Sequence, residues 1–265
     1  IASDGDLQEG VSHEAIALAG HMKLNRLVVL WDDNSISIDG DTALSDTMDH
    51  RARFEAAGWT TLAVDGHDPE AVDAALDQAR ASDTPVLIAC KTTIGFGAPT
   101  KAGTAASHGA ALGDEEIAGA RKALGWSHGP FEIPDAVYEG WRAASVCGAE
   151  ARAAWEQRLQ ESEHLEAFIA QLSGEAPVEA LDALKAHIKS VLAEKPALAT
   201  RAASGKAIDA FWSAHPGLIG GSADLTGSNN TLGKGQAAIS APDYAGAYIH
   251  YGVREHGMAA AMNGM

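Results

Sequence analysis

Two stretches of the chain carry oxygen ligands of the kind that hold a hard divalent cation. The first is Ser3-Asp4-Gly5-Asp6-Leu7-Gln8-Glu9-Gly10; the second is Asp32-Asp33-Asn34-Ser35-Ile36. An Asp carboxylate and an Asn amide oxygen suit Mg2+ or Ca2+, and Mg2+ rarely takes its whole six-oxygen shell from protein. Diphosphate oxygens, a backbone carbonyl and water complete such a shell. Gly5 lacks a Cβ and lets the backbone approach a phosphate closely. Taken singly, Asp-Gly and Asp-Asn are ordinary turn formers. The pair gains weight from its setting: Asp4 follows a strand end at Ile1-Ala2, and Asn34 follows the apolar run Leu27-Val-Val-Leu-Trp31. Were those strands parallel neighbours, both segments would leave the same edge of the sheet.

The elements that must position these residues read as α/β over residues 1–126. Leu27–Trp31, Thr61–Val64 and Val86–Cys90 are continuous apolar runs, as expected of strands buried on both faces. Between them Glu14–Leu24, Arg51–Gly58 and Pro69–Ser82 read as helices. The last carries Val72, Leu76 and Ala79 on one face and Asp68 as its N-cap. This alternation predicts a parallel sheet, with ligands at the carboxyl ends of its strands. A further helix is expected over Asp114–Gly125, with Ile117, Ala120 and Leu124 facing inward and Gly125 as its stop. The stretch from 134 to 195 is rich in Ala, Glu, Gln and Leu at helical spacing and reads as a helical connector. After Pro196 the alternation returns, with a helix over Lys206–Ala214 and short strands at Leu218-Ile219 and Tyr248–Tyr251.

The net charge of −17 argues against a general nucleic-acid or anionic-membrane binder, since both require a basic face. A phosphorylated substrate is still compatible, because a few placed cations, a metal or a helix N-terminus suffice to hold one. No stretch approaches the about 20 apolar residues of a membrane span. The two cysteines, Cys90 and Cys147, cannot build a disulfide framework, and a reducing cytoplasm is the default. Both ends of the sequence read as cut through secondary structure, so the chain is expected to be an internal piece of a longer protein.

The spacing from Asp4-Gly5 to Asn34 resembles the thiamine diphosphate motif. Its surroundings, Glu9-Gly-Val-Ser-His-Glu-Ala15 and Asp32-Asp-Asn-Ser-Ile-Ser-Ile-Asp-Gly40, resemble transketolases in particular. So do Lys91-Thr-Thr-Ile-Gly-Phe-Gly97, Lys101-Ala-Gly-Thr104, Ser107-His-Gly109, Gly220-Gly-Ser-Ala-Asp-Leu225 and Ile249-His-Tyr-Gly-Val-Arg-Glu255. These motifs extend along the whole chain.

The resemblance implies a parallel-sheet thiamine diphosphate-binding fold in three parts. Residues 1–133 would close the diphosphate- and metal-binding domain, 134–196 would be the connector, and 197–265 would open the pyrimidine-binding domain. It implies Mg2+, with Ca2+ or Mn2+ as substitutes, on Asp4, Asn34 and the carbonyl of Ile36. Gly5, Asn34, His108 and Asp224 match cofactor-binding positions. His108, Arg201 and Ser228 match substrate binders, and a guanidinium with a hydroxyl makes a reasonable phosphate clamp. Glu255 matches the catalytic glutamate, whose carboxyl should be partly buried with a raised pKa to share a proton with the cofactor's pyrimidine. Glu9 and Glu14 resemble acids near a subunit interface. The implied reaction moves a two-carbon ketol unit from a ketose phosphate such as xylulose 5-phosphate to an aldose phosphate, ribose 5-phosphate or erythrose 4-phosphate. The implied assembly is a cytoplasmic homodimer that shares its sites between subunits.

Two departures stand out: Ser3 where a Gly is common before Asp-Gly, and Ala111 where Pro is common. The alternatives are another thiamine enzyme, such as dihydroxyacetone synthase or deoxyxylulose-phosphate synthase, or a non-catalytic fragment that holds metal and diphosphate. His13, His21, His67 and His250 lack a second ligand at useful spacing and read as structural or surface residues. Cys90 reads as core, and Trp126, Trp141 and Trp155 read as helix-face residues.

Overall fold

The computed structural model describes residues 1–215 and 217–265. They form two compact units, the first made of Ile1–Trp126, Gly220–Gly227 and Gln236–Met265, the second of Ser127–Ile219 and Ser228–Gly235.

The first unit opens with β1 (Ala2–Ser3), α1 (Asp4–Gln8), α2 (Gly10–His21), β2 (Val28–Asp33) and a small hairpin of β3 (Ile36–Ser37) and β4 (Gly40–Asp41). It continues through α3 (His50–Ala56), β5 (Thr60–Asp65), α4 (Pro69–Arg80), β6 (Val86–Lys91) and α5 (Asp114–Ala123). Strands β1, β2, β6 and β5 lie in that order in one parallel sheet. Ala2 pairs with Trp31 and Ser3 with Asp32, so β1 and β2 are neighbours and end at the same edge.

The apolar runs are continuous because both faces of the sheet are covered. Val29, Trp31, Leu87 and Ala89 point to one face and meet Leu7, Ile16 and Ala19 of α1 and α2, Phe54 of α3, and Trp59. Val28, Leu30, Val86, Ile88 and Cys90 point to the other and meet Ala75 and Ala79 of α4. Val86, Leu87 and Ile88 are completely buried, and burial of each such side chain contributes about 1.5–3 kcal/mol. Asp68 caps α4 as expected, accepting from the Ala71 N–H at 3.1 Å. Gly20 lets α2 close on α3: a Cβ there would lie 1.8 Å from the Ala57 carbonyl oxygen.

Helix α5 departs from the expected inward stripe. Ile117 and Leu124 are exposed, and no residue of α5 is buried. Polar contacts dock it instead: Glu116 accepts from the backbone N–H of Thr100 at 3.1 Å and of Lys101 at 3.3 Å. Gly119 adds a close approach to Pro99.

In the second unit α6 (Asp135–Gln160), α7 (Leu165–Leu172), α8 (Val178–Glu194) and α9 (Thr200–Trp212) are all helical, as the spacing predicts. Trp155 meets Phe168 edge-to-face, with ring centroids 6.2 Å apart, whereas Trp141 lies exposed on α6. Helix α9 begins six residues before its expected start at Lys206, and its Gly205 packs against Asn230.

The last elements are β7 (Gly220–Ser222), α10 (Thr226–Asn229), β8 (Tyr248–His250) and α11 (Glu255–Gly264). The strand expected at Leu218-Ile219 is β7, starting two residues later. Its glycines are required by close packing: a Cβ on Gly221 would lie 2.5 Å from the Tyr251 ring. Strand β7 pairs in parallel with β8. Among the described residues no helix is long and apolar enough to cross a membrane.

Candidate functional site

Asp4 is the first residue of helix α1, not a loop residue. Ser3 is the N-cap: its Oγ accepts from the Asp6 N–H at 3.3 Å, while the Asp6 carboxylate accepts from the Ser3 N–H at 2.7 Å. This reciprocal box fixes the turn that carries Asp4. It also gives Ser3 a structural task at a position where Gly is common. The Ser3 N–H, and after it the Ser3 hydroxyl, hold the Asp6 carboxyl below the usual range.

The Asp4 residue is only 6% exposed. Its Oδ1 accepts from the indole Nε1–H of Trp31 at 3.0 Å, and its Oδ2 from the Ser35 N–H at 3.1 Å. Ser35 takes a left-handed conformation, φ +62°, which is uncommon for a residue with a side chain. Burial pushes the Asp4 carboxyl above its ordinary value and nearby Asp33 adds to this; the hydrogen bonds from Trp31 and Ser35 offset part of the rise. Asp4 is thus a buried acid held by two neutral donors. Lys91, a base close by, instead donates to Asp33 at 3.1 Å and to the Ser35 hydroxyl at 2.7 Å.

Across the sheet edge Asn34 forms an Asx turn, with its Oδ1 accepting from the Ile36 N–H at 3.0 Å. Its Nδ2 donates to Asp32 at 3.1 Å, and Asp32 in turn accepts from the Thr92 hydroxyl. The Asn34 side-chain oxygen keeps a second lone pair. Asp4, Gly5, Asn34, Ile36 and His108 all line one cavity of about 740 Å³ at the carboxyl edge of the parallel strands. Gly5 needs no special φ, and a Cβ there would meet only Ser3 Oγ, at 3.9 Å. Packing therefore does not demand glycine at this position. His108 follows the short 3-10 turn Ala105–Ser107 and is exposed.

The donor set fits a hard divalent cation. One desolvated carboxylate bonded only to neutral donors, one amide oxygen and one residue with a backbone carbonyl to offer lie on the same cavity wall. Water or diphosphate oxygens would fill the rest of a six-oxygen shell. Among the described residues no cluster of three or more His, Cys, Asp or Glu could hold a metal unaided.

Other expected residues stand elsewhere. Asp224, at φ +62°, is an exposed residue after β7. Glu255 is the first residue of α11. It is exposed at a helix start on the surface of the first unit. Neither residue lines the cavity. Glu14 on α2 accepts from the Gly257 N–H at 2.6 Å and so caps α11 next to Glu255. In the second unit Arg201 is an exposed residue at the start of α9, and Ser228 an exposed residue of α10. The supporting roles of Trp31, Ser35 and Asp32 do not follow from the sequence motifs. The one signal for Trp31 is its place at the end of a buried strand, where an indole N–H must find an acceptor.

Residues 1–177 match the family model described as transketolase, thiamine diphosphate binding domain, and residues 196–265 match that described as transketolase, pyrimidine binding domain. The chain is 53% identical to the transketolase of Cereibacter sphaeroides and 50% identical to that of Sinorhizobium medicae, in each case over 100% of its own length. It spans 40% and 38% of those relatives. Among solved structures, the transketolase of Leishmania mexicana matches with a TM-score of 0.88 at 37% identity, covering 99% of this chain and 40% of that one. The transketolase of Pichia stipitis in complex with sedoheptulose 7-phosphate matches with a TM-score of 0.89 at 36% identity, again over 99% of this chain and 40% of that one. The chain belongs to the transketolase family.

Proposed function

We propose that the protein to which this chain belongs is a thiamine diphosphate- and Mg2+-dependent transketolase. The observation that carries this reading is the convergence of Asp4, Gly5, Asn34, Ile36 and His108 on one cavity. When bound, thiamine diphosphate would supply a nucleophilic thiazolium carbon and a cationic ring that takes up the electron pair released as the carbon–carbon bond breaks. Asp4, Asn34 Oδ1 and the Ile36 carbonyl hold the metal, and Gly5 leaves room for the diphosphate against the backbone. His108, an exposed residue of the cavity wall, orients substrate oxygens. Arg201 and Ser228 bind the sugar phosphate, and Asp224 contributes to the cofactor pocket.

Glu255 holds a proton at its carboxylate, shared with the pyrimidine nitrogen of the cofactor. Its exposure at the start of α11 supports a homodimer in which it serves the partner's cavity. The substrates are xylulose 5-phosphate as ketol donor and ribose 5-phosphate or erythrose 4-phosphate as acceptor, in the cytoplasm. We read the domain division as 1–133, 134–196 and 197–265.

The full-length protein, stripped with a chelator, tests this. Release of glyceraldehyde 3-phosphate from xylulose 5-phosphate plus ribose 5-phosphate should require both thiamine diphosphate and Mg2+. Cofactor binding without this activity would point to another acceptor among the thiamine enzymes. Absence of both would overturn the reading.

A further inference from the structure

We propose that Trp31 is a positioning residue for the divalent cation. Its indole N–H fixes the Asp4 carboxylate in the orientation that presents it to the cavity. The inference rests on the reading of Asp4 as a metal ligand.

Trp31 stands near the end of β2, directly beside Ala2 of β1. It is 8% exposed, and its ring meets His50 edge-to-face with centroids 5.3 Å apart. His50 is itself buried and tied to Asp46 at 2.8 Å. The indole is thus held by its strand on one side and by an anchored imidazole on another. From there it donates to Asp4 Oδ1 at 3.0 Å, while the Ser35 N–H occupies Oδ2 at 3.1 Å. One donor on each oxygen fixes the rotation of the carboxylate.

Both donors are neutral, so the carboxylate keeps its charge for a cation. A lysine or arginine in their place would compete with the metal. Lys91 is close at hand, yet it is engaged by Asp33 and Ser35. A buried indole N–H needs only some acceptor. Trp59 shows the ordinary solution, donating to the Ile16 carbonyl at 2.9 Å. Trp31 directs its N–H to the buried carboxylate of Asp4, a residue that lines the cavity. Partners behind a metal ligand typically alter metal affinity by about 10- to 100-fold when lost.

The test uses the full-length protein, chelator-stripped, with Mg2+ titrated in the presence of thiamine diphosphate and cofactor uptake as the readout. Three variants accompany the wild type: Asp4→Ala, Trp31→Phe, and Trp31 replaced by 3-benzothienylalanine, which keeps the shape of indole with sulfur in place of N–H. The expected result is loss of Mg2+-dependent uptake in Asp4→Ala and an Mg2+ requirement raised about 10- to 100-fold in both Trp31 variants. The thermal midpoint of the metal-free benzothienyl variant should stay near that of the wild type. If Asp4→Ala takes up cofactor normally, the reading of Asp4 fails and Trp31 has no ligand to position. If Asp4→Ala is defective but the benzothienyl variant keeps wild-type Mg2+ affinity, the Asp4 reading stands and the Trp31 proposal is overturned. The benzothienyl variant decides the matter even where Trp31→Phe does not fold.

Discussion

Ser3 lies directly beside Asp32 across the β1–β2 pair. This one register brings the start of α1 and the Asp32–Ile36 segment to the same edge of the sheet, although helix α2 and the rest of β2 intervene in sequence. Asp4 and Asn34 each follow within two residues of that pair. Their closeness is thus a consequence of strand pairing.

Asp4→Asn tests what that closeness is for. The amide still offers an acceptor to the Trp31 N–H, so the fold should survive. The desolvated charge is gone, but the amide NH2 then faces the second donor, the Ser35 N–H, so the metal-free protein should unfold at about the same temperature or slightly lower. Mg2+-dependent retention of thiamine diphosphate in the full-length protein should weaken by at least about tenfold. Unchanged retention in equilibrium dialysis would remove Asp4 from the metal site.

Glu255→Gln separates chemistry from binding. Glu255 is exposed at the start of α11, and the capping contact from Glu14 goes to Gly257. Folding and cofactor retention should therefore persist. Turnover should fall by about 100- to 10,000-fold, the usual range for removing a general acid–base group. Turnover within a few-fold of wild type would refute the assignment.

Gly20→Ala sets packing against propensity. In a free helix alanine is favoured over glycine by about 1 kcal/mol. Here the added Cβ would lie 1.8 Å from the Ala57 carbonyl oxygen. Overpacking of this kind costs about 1–3 kcal/mol, so the substitution should lower stability in chemical denaturation. A stabilised variant would mean that α2 and α3 are not held at this separation.

Acid should destabilise the fold through three carboxylates. Asp6 is held below its ordinary pKa chiefly by the Ser3 N–H, Asp46 by the Met48 N–H, and Glu116 by the Thr100 hydroxyl. Each has a folded pKa below its unfolded value, so the unfolded chain binds more protons in that window. Their stabilisation is fully present above the ordinary carboxyl range and is lost as pH falls through the folded values. The thermal midpoint should drop below about pH 4, and Asp46→Asn should flatten that fall. A midpoint that holds steady under acid would contradict the assignment.

Much of the first unit was legible because hydrophobicity alone dictates it. Strands β2, β5 and β6 carry the apolar runs of the sheet, and α4 has its Asp68 cap and its stripe. The closeness of Asp4 and Asn34 was legible for a related reason: both follow strands, and parallel strands share an edge. Less legible were features made by single contacts. Helix α1 has five residues and rests on the Ser3–Asp6 box rather than on periodicity. Strand β7 is expected two residues too early, at the apolar Leu218-Ile219, because close packing against Tyr251 requires glycine within it. Helix α5 has a helical apolar pattern, yet it is docked through Glu116. The role of Trp31 depends on which acceptor its N–H finds, and no local pattern encodes that.

The most direct test of the account is the position of the metal. Crystals of the full-length protein grown with Mn2+ and thiamine diphosphate would show it by anomalous scattering. The account predicts one Mn2+ in the cavity, bonded to the Asp4 carboxylate, Asn34 Oδ1 and the Ile36 carbonyl. A cofactor-bound crystal with Mn2+ held by other residues, and the Asp4 carboxylate bonded only to Trp31 and Ser35, would contradict it.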